Sequence, residues 1–395
     1  MRTVEEHQRV VAGLISARPA VSVPLADALG LALAEDVVAP LSLPGFDNSA
    51  MDGYAVRAAD VATATAENPV KLPVAEDIPA GRTDLLTLAP GTAHRIMTGA
   101  MLPAGATAVV QVEATDGATD VVSIYSAVPE GRSIRRAGED VTAGMTVLAA
   151  GEVLSPAALG LAAALGFSEL KVVPRQRVLV LSTGTELVTP GTPLQPGQIY
   201  ESNAVMLAAA LREAGADVST APATSDDVAL FRETLAGHAG DVDLIVTTGG
   251  VSAGAYEVVK DALAGDVEFV KVAMQPGMPQ GAGTVNGTPI VTLPGNPVSA
   301  LVSFEVFIRP PLRAAMGLPS QRPRRSATLT ERLTSPAGKR QFRRGVLGTG
   351  DEVSSYGPPA SHHLRWLATA NCLLDIGEDV VELAAGSPVP VWDLS

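Results

Sequence analysis

Short apolar runs alternate with amphipathic stretches of about ten residues between positions 177 and 309. Strand-like runs are found at 177–181, 242–246, 267–272 and 289–293, and helix-like stretches at 203–213, 228–236, 256–263 and 297–309. Such alternation predicts right-handed βαβ units, in which helices cover both faces of the sheet. We therefore expect a central α/β domain built on a doubly wound, mainly parallel sheet.

The two flanks of this region have a different pattern. Residues 1–18 place apolar side chains near one helical face, and residues 153–167 predict a short helix that begins at Ser155 and Pro156. Short alternating runs between 93 and 148 predict a β-rich N-terminal module. After residue 320 the chain returns to short strand-like runs, which predict a small β-barrel or a sandwich.

Composition and charge exclude several classes of protein. The chain has 28 Lys and Arg against 42 Asp and Glu, a formal net charge of −14, which does not suit nucleic acid or an anionic membrane surface. Cys372 is the single cysteine and excludes an internal disulfide or a multi-cysteine metal site. No apolar run reaches the roughly 18 residues of a membrane span. With a polar start, these features predict a cytoplasmic protein.

Polar and glycine residues follow three of the predicted strands, where open α/β sheets bind ligands. The first strand ends in Ser-Thr-Gly-Thr-Glu, the second in Thr-Thr-Gly-Gly-Val-Ser, and the third in Leu-Pro-Gly-Asn-Pro-Val-Ser. Glycines allow close backbone approach, and free N–H groups bind anions. We expect a phosphate or nucleotide site there, with these candidate residues: Thr183, Gly184, Glu186, Gly249, Gly250, Ser252, Pro294, Gly295, Asn296, Pro297 and Ser299. For the third segment, a rigid turn with an Asn or Ser helix cap is the structural alternative.

A second group of candidate functional residues lies outside the predicted sheet domain. Residues 47–55 read Asp-Asn-Ser-Ala-Met-Asp-Gly-Tyr-Ala, a loop with polar side chains at Asn48, Ser49 and Asp52. The segment 95–99, which contains Thr98, and the segment 135–140, which ends at Asp140, add further polar groups. Because Asp-Gly is also an ordinary turn dipeptide, a purely structural role for Asp52 is the alternative.

Carboxylates near the predicted helices are candidate magnesium ligands. Asp226 and Asp227 are adjacent, and Glu257 follows the second glycine segment. Magnesium prefers oxygen ligands that it shares with phosphates, so Glu186, Asp226 and Asp227 are the predicted set. The alternative is that the Asp pair caps the helix that begins near Val228, because Asp is favoured at that position.

The 47–55 loop, the Arg-Ile-Met-Thr-Gly segment at 95–99, Gly-Gly-Val-Ser at 249–252 and Leu-Pro-Gly-Asn-Pro-Val-Ser at 293–299 resemble the molybdopterin molybdenumtransferase (MoeA) family, which includes the gephyrin E domain. The resemblance implies four parts: residues 1–45 with 145–174, where the opening helix could pack on the sheet domain; a β-rich domain, 46–144; an adenylyltransferase-like domain, 175–320; and a β-barrel, 321–395. It also implies a homodimer whose active site is shared between subunits.

The family's reaction would take adenylylated molybdopterin and molybdate, release AMP, and leave molybdenum on the pterin dithiolene, with Mg²⁺ as cofactor. Matching motifs would give catalytic roles to Asp52, Asp140, Glu186, Asp226 and Glu257, and substrate contacts to Thr98, Ser361 and His362 beside the strand-end candidates. The implied partners are a molybdopterin adenylyltransferase as substrate donor and, beyond it, molybdoenzyme apoproteins or their chaperones.

Two departures from the family pattern affect the anion site. Gln275 and Met278 stand where the family commonly has lysines, and Glu257 stands where it usually has Asp. Losing two ammonium groups would remove charge-assisted contacts, so we expect Arg343, Arg344 or Lys260 to compensate. A scaffold that binds the cofactor without turnover is the first alternative function. An adenylyltransferase is the second, although it would not need the N-terminal half of the chain.

Overall fold

The computed structural model describes residues 1–222, 227–238, 240–250 and 258–395. The chain forms two compact units. The first consists of Met1–Ser22, Gly30–Ala34 and Lys171–Ser395, and the second of Val23–Leu29 and Glu35–Leu170. In the described part of the chain, no helix is long and apolar enough to cross a membrane.

A six-stranded sheet forms the centre of the first unit. Its strand order is Asp217–Thr220, Arg177–Ser182, Leu244–Thr248, Thr288–Leu293, Pro279–Val285 and Val267–Lys271. The first four strands are parallel, which confirms the predicted sheet. The last two pair antiparallel, and Pro279–Val285 is a strand that the sequence pattern did not predict. Its Gly281 and Gly283 conceal the strand pattern in the sequence.

Helices cover this sheet on both faces. They are Val4–Leu14, Asn203–Glu213, Val228–His238, Val258–Ala262, Pro297–Ser303 and Arg309–Ala315. Val4–Leu14 begins at a capping box, in which the Glu6 N–H donates to Thr3 Oγ1 at 3.1 Å and the Thr3 N–H donates to Glu6 Oε2 at 2.8 Å. Its Val4 and Val11 join the same apolar core as the sheet.

The helix that follows the third candidate segment is longer than predicted. We expected it to end at Arg309, before two prolines, but it passes through a π-helical turn at Phe304–Ile308 and continues to Ala315. Prolines are tolerated in a first helical turn, where their missing N–H groups cost little, and Pro310 and Pro311 begin the segment Arg309–Ala315 in this way.

The C-terminal part of the first unit is a closed barrel, which decides between the barrel and the sandwich. Strand Arg340–Leu347 pairs with both Glu352–Ser355 and Cys372–Ile376, and these two connect through Arg324–Leu329 and Pro388–Asp393. Apolar side chains from all five strands fill its interior. Outside the barrel, Met274–Gln275 pairs in parallel with the start of Arg340–Leu347, so residues 274–275 lie beside Arg340 and Gln341.

The second unit is built on a five-stranded sheet. Its strands, in spatial order, are Ala108–Gln111, Gly53–Val56, Ala93–Ile96, Val70–Ile78 and Val121–Ile124. Ser155 caps helix Pro156–Ala164 through its Oγ, which accepts from the Ala158 N–H at 3.2 Å. Outside these sheets and the barrel, the described residues also form the strands Val21–Pro24, Ala32–Leu33, Val37–Val38, Asn48–Ser49, Ile134–Arg135, Thr146–Leu148, Glu169–Val173, Leu187–Val188, Ile199–Tyr200, Leu333–Thr334 and Glu382–Leu383.

A buried histidine makes the stability of the first unit depend on pH. His7 is fully buried, and its ring packs edge-on against Phe307 with 4.7 Å between centroids. Burial, helped by Arg2, lowers the pKa of His7 to about 4. Between pH 6.5 and 4 the unfolded chain takes up a proton that the folded chain does not. The free energy of unfolding therefore decreases as the pH is lowered from 6.5 to 4, and His7 accounts for roughly 3 kcal/mol of this decrease.

We expect the free energy of unfolding of His7→Leu to depend less on pH between 6.5 and 4 than that of wild type. Chemical unfolding of both proteins at pH 7, 6, 5 and 4.5 measures it, because the difference in unfolding free energy between variant and wild type should grow in favour of the variant as pH falls. Parallel profiles for the two proteins would show that His7 does not titrate in this way.

Candidate functional site

A cleft of about 1030 Å³ lies at the carboxyl ends of the parallel strands, within the first unit. All three predicted strand-end segments line it, together with residues 274–279 and a loop of the barrel that carries Ser361 and His362. The predicted residues found there are Thr183, Gly184, Glu186, Gly249, Gly250, Pro294, Gly295, Asn296, Pro297, Ser299, Ser361 and His362. Ser252, Asp226 and Glu257 lie outside the described residues.

The first strand end offers a buried hydroxyl to the cleft. Thr183 is 6% exposed, and its Oγ1 has no hydrogen-bond partner among the described residues. Its backbone N–H donates to the carbonyl of Thr248 at 3.1 Å, which joins the first strand end to the second. An unpaired buried hydroxyl is costly, so this group is available to a ligand that enters the cleft.

The backbone of Gly249 lies so close to Thr183 that a residue with a Cβ would not fit there. Its φ is +95°, and a Cβ placed on it would lie 2.6 Å from the Thr183 carbonyl oxygen. Gly265 provides a control, because its φ of +89° is similar but a Cβ there would meet nothing within 4 Å. Left-handed backbone alone costs an alanine about 1–2 kcal/mol.

We expect Gly249→Ala to destabilise the protein at least twice as much as Gly265→Ala, since only the first adds a steric clash to the backbone strain. Unfolding free energies from denaturant titration give the comparison. Equal losses for the two variants would mean that the close approach of Gly249 to Thr183 is not rigid.

A hydrogen-bond network connects the second and third strand ends. The Asn203 carboxamide, at the start of helix Asn203–Glu213, donates through Nδ2 to Thr248 Oγ1 at 3.1 Å and to the Gly295 carbonyl at 2.6 Å. The Thr248 hydroxyl in turn donates to the Pro294 carbonyl at 3.2 Å. Asn203 was predicted only as a helix start, since a polar residue at that position gives no further signal in the sequence.

The third strand end contacts the barrel loop. Asn296 occupies the N-cap position of helix Pro297–Ser303, but its side chain caps no helix N–H. Its Nδ2 instead donates to Ser361 Oγ at 3.0 Å, and the Val298 N–H donates to the Ser361 carbonyl at 3.0 Å. The alternative of a side-chain cap by Asn296 is therefore wrong, and Asn296 and Ser361 lie together in the cleft.

The barrel also supplies a cation that the sequence pattern did not predict. Lys339 lines the cleft and is the only Lys or Arg among the described lining residues. It precedes strand Arg340–Leu347, and the pairing of that strand with Met274–Gln275 places it near the segment that lacks the expected lysines. No motif marks Lys339 in the sequence, because only this tertiary pairing brings it to the cleft.

Compensation by Arg343, Arg344 or Lys260 stays a prediction: none of the three lines the cleft, but Arg343 and Arg344 line a small pocket that shares Gln275 and Pro276 with it. Arg344 is buried and donates to the carbonyls of His363 and Pro358, and Arg343 donates to Ser355 Oγ at 2.6 Å. Arg344 thus holds the two ends of the barrel loop that carries Ser361. Burial lowers the pKa of both guanidinium groups.

Gln275 presents a neutral amide to the cleft. Gln275 lines the cleft, and its Oε1 accepts from Gln341 Nε2 at 2.8 Å. The carboxamide of Gln280 holds the same segment from beneath, because its Nε2 donates to the Gly277 carbonyl at 2.6 Å. Met278 also lines the cleft. Residues 275–278 therefore offer neutral groups where the family pattern has charged ones.

The predicted magnesium ligands are not assembled in the described part of the chain. Glu186 lines the cleft, but Asp227 Oδ1 accepts from the Ala229 and Leu230 N–H groups at 2.8 and 3.1 Å and caps helix Val228–His238. Helix capping is thus the observed role of this Asp227 oxygen. Among the described residues, no group of three or more His, Cys, Asp or Glu side chains could hold a metal ion. We therefore assign no step to magnesium.

The candidates of the 47–55 loop lie in the second unit. Asp52 Oδ1 accepts from both the N–H and the hydroxyl of Thr98, each at 2.7 Å, and these bonds hold the pKa of Asp52 below its usual range. Asn48 and Ser49 are buried in a short strand, and the Ser49 carbonyl accepts from the Gly99 N–H at 2.8 Å. Asp140 is exposed. Asn48, Ser49, Asp52 and Thr98 thus form one group.

Comparisons with known proteins agree with this architecture. Three family models match the chain: "MoeA N-terminal region (domain I and II)" at residues 2–166, "Probable molybdopterin binding domain" at 179–314, and "MoeA C-terminal region (domain IV)" at 326–394. Together they define a multidomain protein with a molybdopterin-binding type of sheet domain.

Two relatives and one solved structure extend the match over nearly the whole chain. Molybdopterin molybdenumtransferase 2 of Mycobacterium tuberculosis is 69% identical over 100% of both chains, and molybdopterin molybdenumtransferase 1 is 39% identical over 99% of this chain and 98% of the other. A MoeA structure from Pyrococcus horikoshii superposes with a TM-score of 0.84 at 31% identity, covering 100% of this chain and 99% of the other. The chain belongs to the molybdopterin molybdenumtransferase (MoeA) family, and the predicted transferase class is confirmed.

Proposed function

We propose that this protein inserts molybdenum from molybdate into adenylylated molybdopterin and releases AMP. The observation that carries the proposal is the cleft itself, in which three glycine-bearing strand ends, the Thr183 hydroxyl without a partner among the described residues, and the Lys339 ammonium group come together. Glycine-bearing strand ends suit a phosphoanhydride, because the backbone can approach its oxygens closely. The relatives' names place the protein in molybdenum-cofactor biosynthesis.

The binding roles follow from the chemistry of the lining groups. Thr183 offers its hydroxyl, and Gly295 and Asn296 offer backbone N–H groups that donate to no described residue; such donors bind phosphate oxygens without a net positive charge. Lys339, Ser361 and His362 line the barrel side, where their donors suit the oxyanion molybdate. Such local donors are needed, because the whole chain carries a formal charge of −14 and repels anions.

The carboxylates complete the proposal. We assign catalytic roles to Asp52, Asp140, Glu186, Asp226 and Glu257, in which the carboxyl groups orient the attacking and leaving groups as the anhydride bond breaks. A magnesium requirement stays a prediction from the family resemblance. A homodimer, a cytoplasmic location, a molybdopterin adenylyltransferase as substrate donor, and molybdoenzyme apoproteins or their chaperones as later partners belong to the same proposal.

The test is molybdate-dependent release of AMP from adenylylated molybdopterin by the purified protein, followed by chromatography. We expect AMP and molybdenum-loaded pterin to form in equal amounts, and no more than background AMP without molybdate. The neutral Gln275 and Met278 also suit a scaffold that binds without turnover. Tight binding of the substrate with no AMP release under any condition would favour that scaffold over the enzyme.

A further inference from the structure

One side of the cleft is apolar and includes an aromatic residue. Leu187, Ile199 and Tyr200 line the cleft there, and Tyr200 is the only Phe, Tyr or Trp among the described lining residues. The three strand ends beside them offer mainly glycines, hydroxyl groups and amides. The cleft therefore combines groups that suit an anion with one aromatic side chain, which suits a flat ring.

The strand Ile199–Tyr200 is connected to two of the strand ends. The Ile199 N–H donates to the carbonyl of Glu186, in the first strand-end segment, at 2.9 Å. Three residues after this strand, the Asn203 carboxamide donates to the Gly295 carbonyl of the third strand end at 2.6 Å. Three residues span at most about 11 Å, so the strand lies beside the groups that are proposed to bind phosphate.

The side chain of Tyr200 has no structural partner among the described residues. It is 43% exposed, its hydroxyl makes no hydrogen bond with a described residue, and no described aromatic ring packs against it. Other tyrosines of the chain differ, since the Tyr54 hydroxyl donates to the Ala118 carbonyl at 2.8 Å and the Tyr356 ring packs edge-on against Trp366. An aromatic ring that the protein leaves uncovered beside an anion site is available to a flat ligand.

We propose that the Tyr200 ring is a platform on which a planar heterocycle of the substrate stacks while the strand ends bind its phosphate groups. The proposal rests on the proposed function, because adenylylated molybdopterin carries two such heterocycles, the adenine and the pterin. Stacking does not select one of them, since every such ring has a π-face. Leu187 and Ile199 extend the platform with apolar side chains.

The experiment compares AMP with ribose 5-phosphate, which has the same phosphate and sugar but no base. Calorimetry measures the Kd of each ligand for wild type, Tyr200→Phe, Tyr200→Leu and Tyr200→Ala. We expect the leucine and alanine variants to raise the Kd of AMP about fivefold or more, and to leave the Kd of ribose 5-phosphate within about twofold of wild type. The phenylalanine variant keeps the ring and should stay within about threefold of wild type for both ligands.

A third ligand, 6-carboxypterin, distinguishes the two heterocycles. A loss of affinity for AMP but not for 6-carboxypterin supports the platform with adenine as the stacked ring, and the opposite result supports it with the pterin. Tyr125→Ala is the matched control, because Tyr125 is 37% exposed and does not line the cleft. We expect this control to have wild-type Kd values for all three ligands.

A structural or interface role for Tyr200 gives a different result. Wild-type affinity of Tyr200→Ala for AMP and 6-carboxypterin would overturn the proposal, whatever happens to thermal stability or oligomeric state. Equal losses for AMP and ribose 5-phosphate would also overturn it, and so would the absence of AMP and 6-carboxypterin binding by wild type. Failure of the proposed function is seen separately, as absent molybdate-dependent AMP release from a wild type whose ligand affinity depends on the Tyr200 ring.

Discussion

Replacing Lys339 by methionine is expected to lower kcat/KM for AMP release by roughly 10- to 150-fold. Lys339 is the single Lys or Arg among the described lining residues, and the nearby Gln275 and Met278 carry no charge. A hydrogen bond from a charged donor contributes about 1.5–3 kcal/mol, which corresponds to that range. Methionine keeps most of the length and volume of the side chain, so the change removes mainly the charge. Steady-state kinetics with varied molybdate measures the effect.

Lys339→Arg is the matched control, because it keeps the positive charge, and we expect it to retain most of the activity. The methionine variant should also lose much of the salt dependence of molybdate binding, since screening acts on the charge that it lacks. A methionine variant as active as wild type at every molybdate concentration would remove Lys339 from the anion site.

Asp52→Asn is expected to abolish turnover, at least about a hundredfold in kcat, while leaving the fold unchanged. Asparagine can accept the same two hydrogen bonds from Thr98 through its carbonyl oxygen, so only the negative charge is lost. The Thr98 bonds keep the pKa of Asp52 low, so the carboxylate is ionised at neutral pH. Single-turnover measurements of AMP release test the prediction.

Asp116→Asn provides the control within the same unit. Asp116 is also exposed, and its Oδ1 accepts the backbone N–H groups of Ala118 and Ser123 at 3.2 and 3.0 Å. We expect this variant to have wild-type turnover. Near-normal kcat in folded Asp52→Asn would show that Asp52 has only the turn-forming role that its Asp-Gly sequence allows.

The fold of the sheet domain could be predicted where local pattern and tertiary environment agree. Strand Arg177–Ser182 is apolar because both sheet faces are covered, and helix Asn203–Glu213 was predicted with its observed bounds. Strand Pro279–Val285 could not be predicted, because its glycines and proline read as a loop. Its stability comes from pairing with two neighbouring strands, which no local signal reports.

The residues of the candidate site likewise fall into those that the sequence predicts and those that only the tertiary structure reveals. Thr183, Gly249 and Asn296 stand at strand ends, where topology alone predicts a ligand site. Lys339 and Asn203 could not be predicted, because their positions in the site depend on tertiary contacts. Lys339 reaches the cleft through a strand pairing, and Asn203 contacts the Gly295 carbonyl of a loop that is distant in sequence. The contacts of Arg344 could not be predicted for the same reason, since its guanidinium donates to the carbonyls of His363 and Pro358 in its own barrel.

A crystal structure of the protein soaked with molybdate and AMP would show whether one cleft binds both the phosphate and the molybdate. We expect phosphate density against Thr183 and the N–H groups of Gly295 and Asn296, with molybdate density beside Lys339 and Ser361 in the same cleft. Both ligands bound elsewhere, with this cleft holding only water, would contradict it.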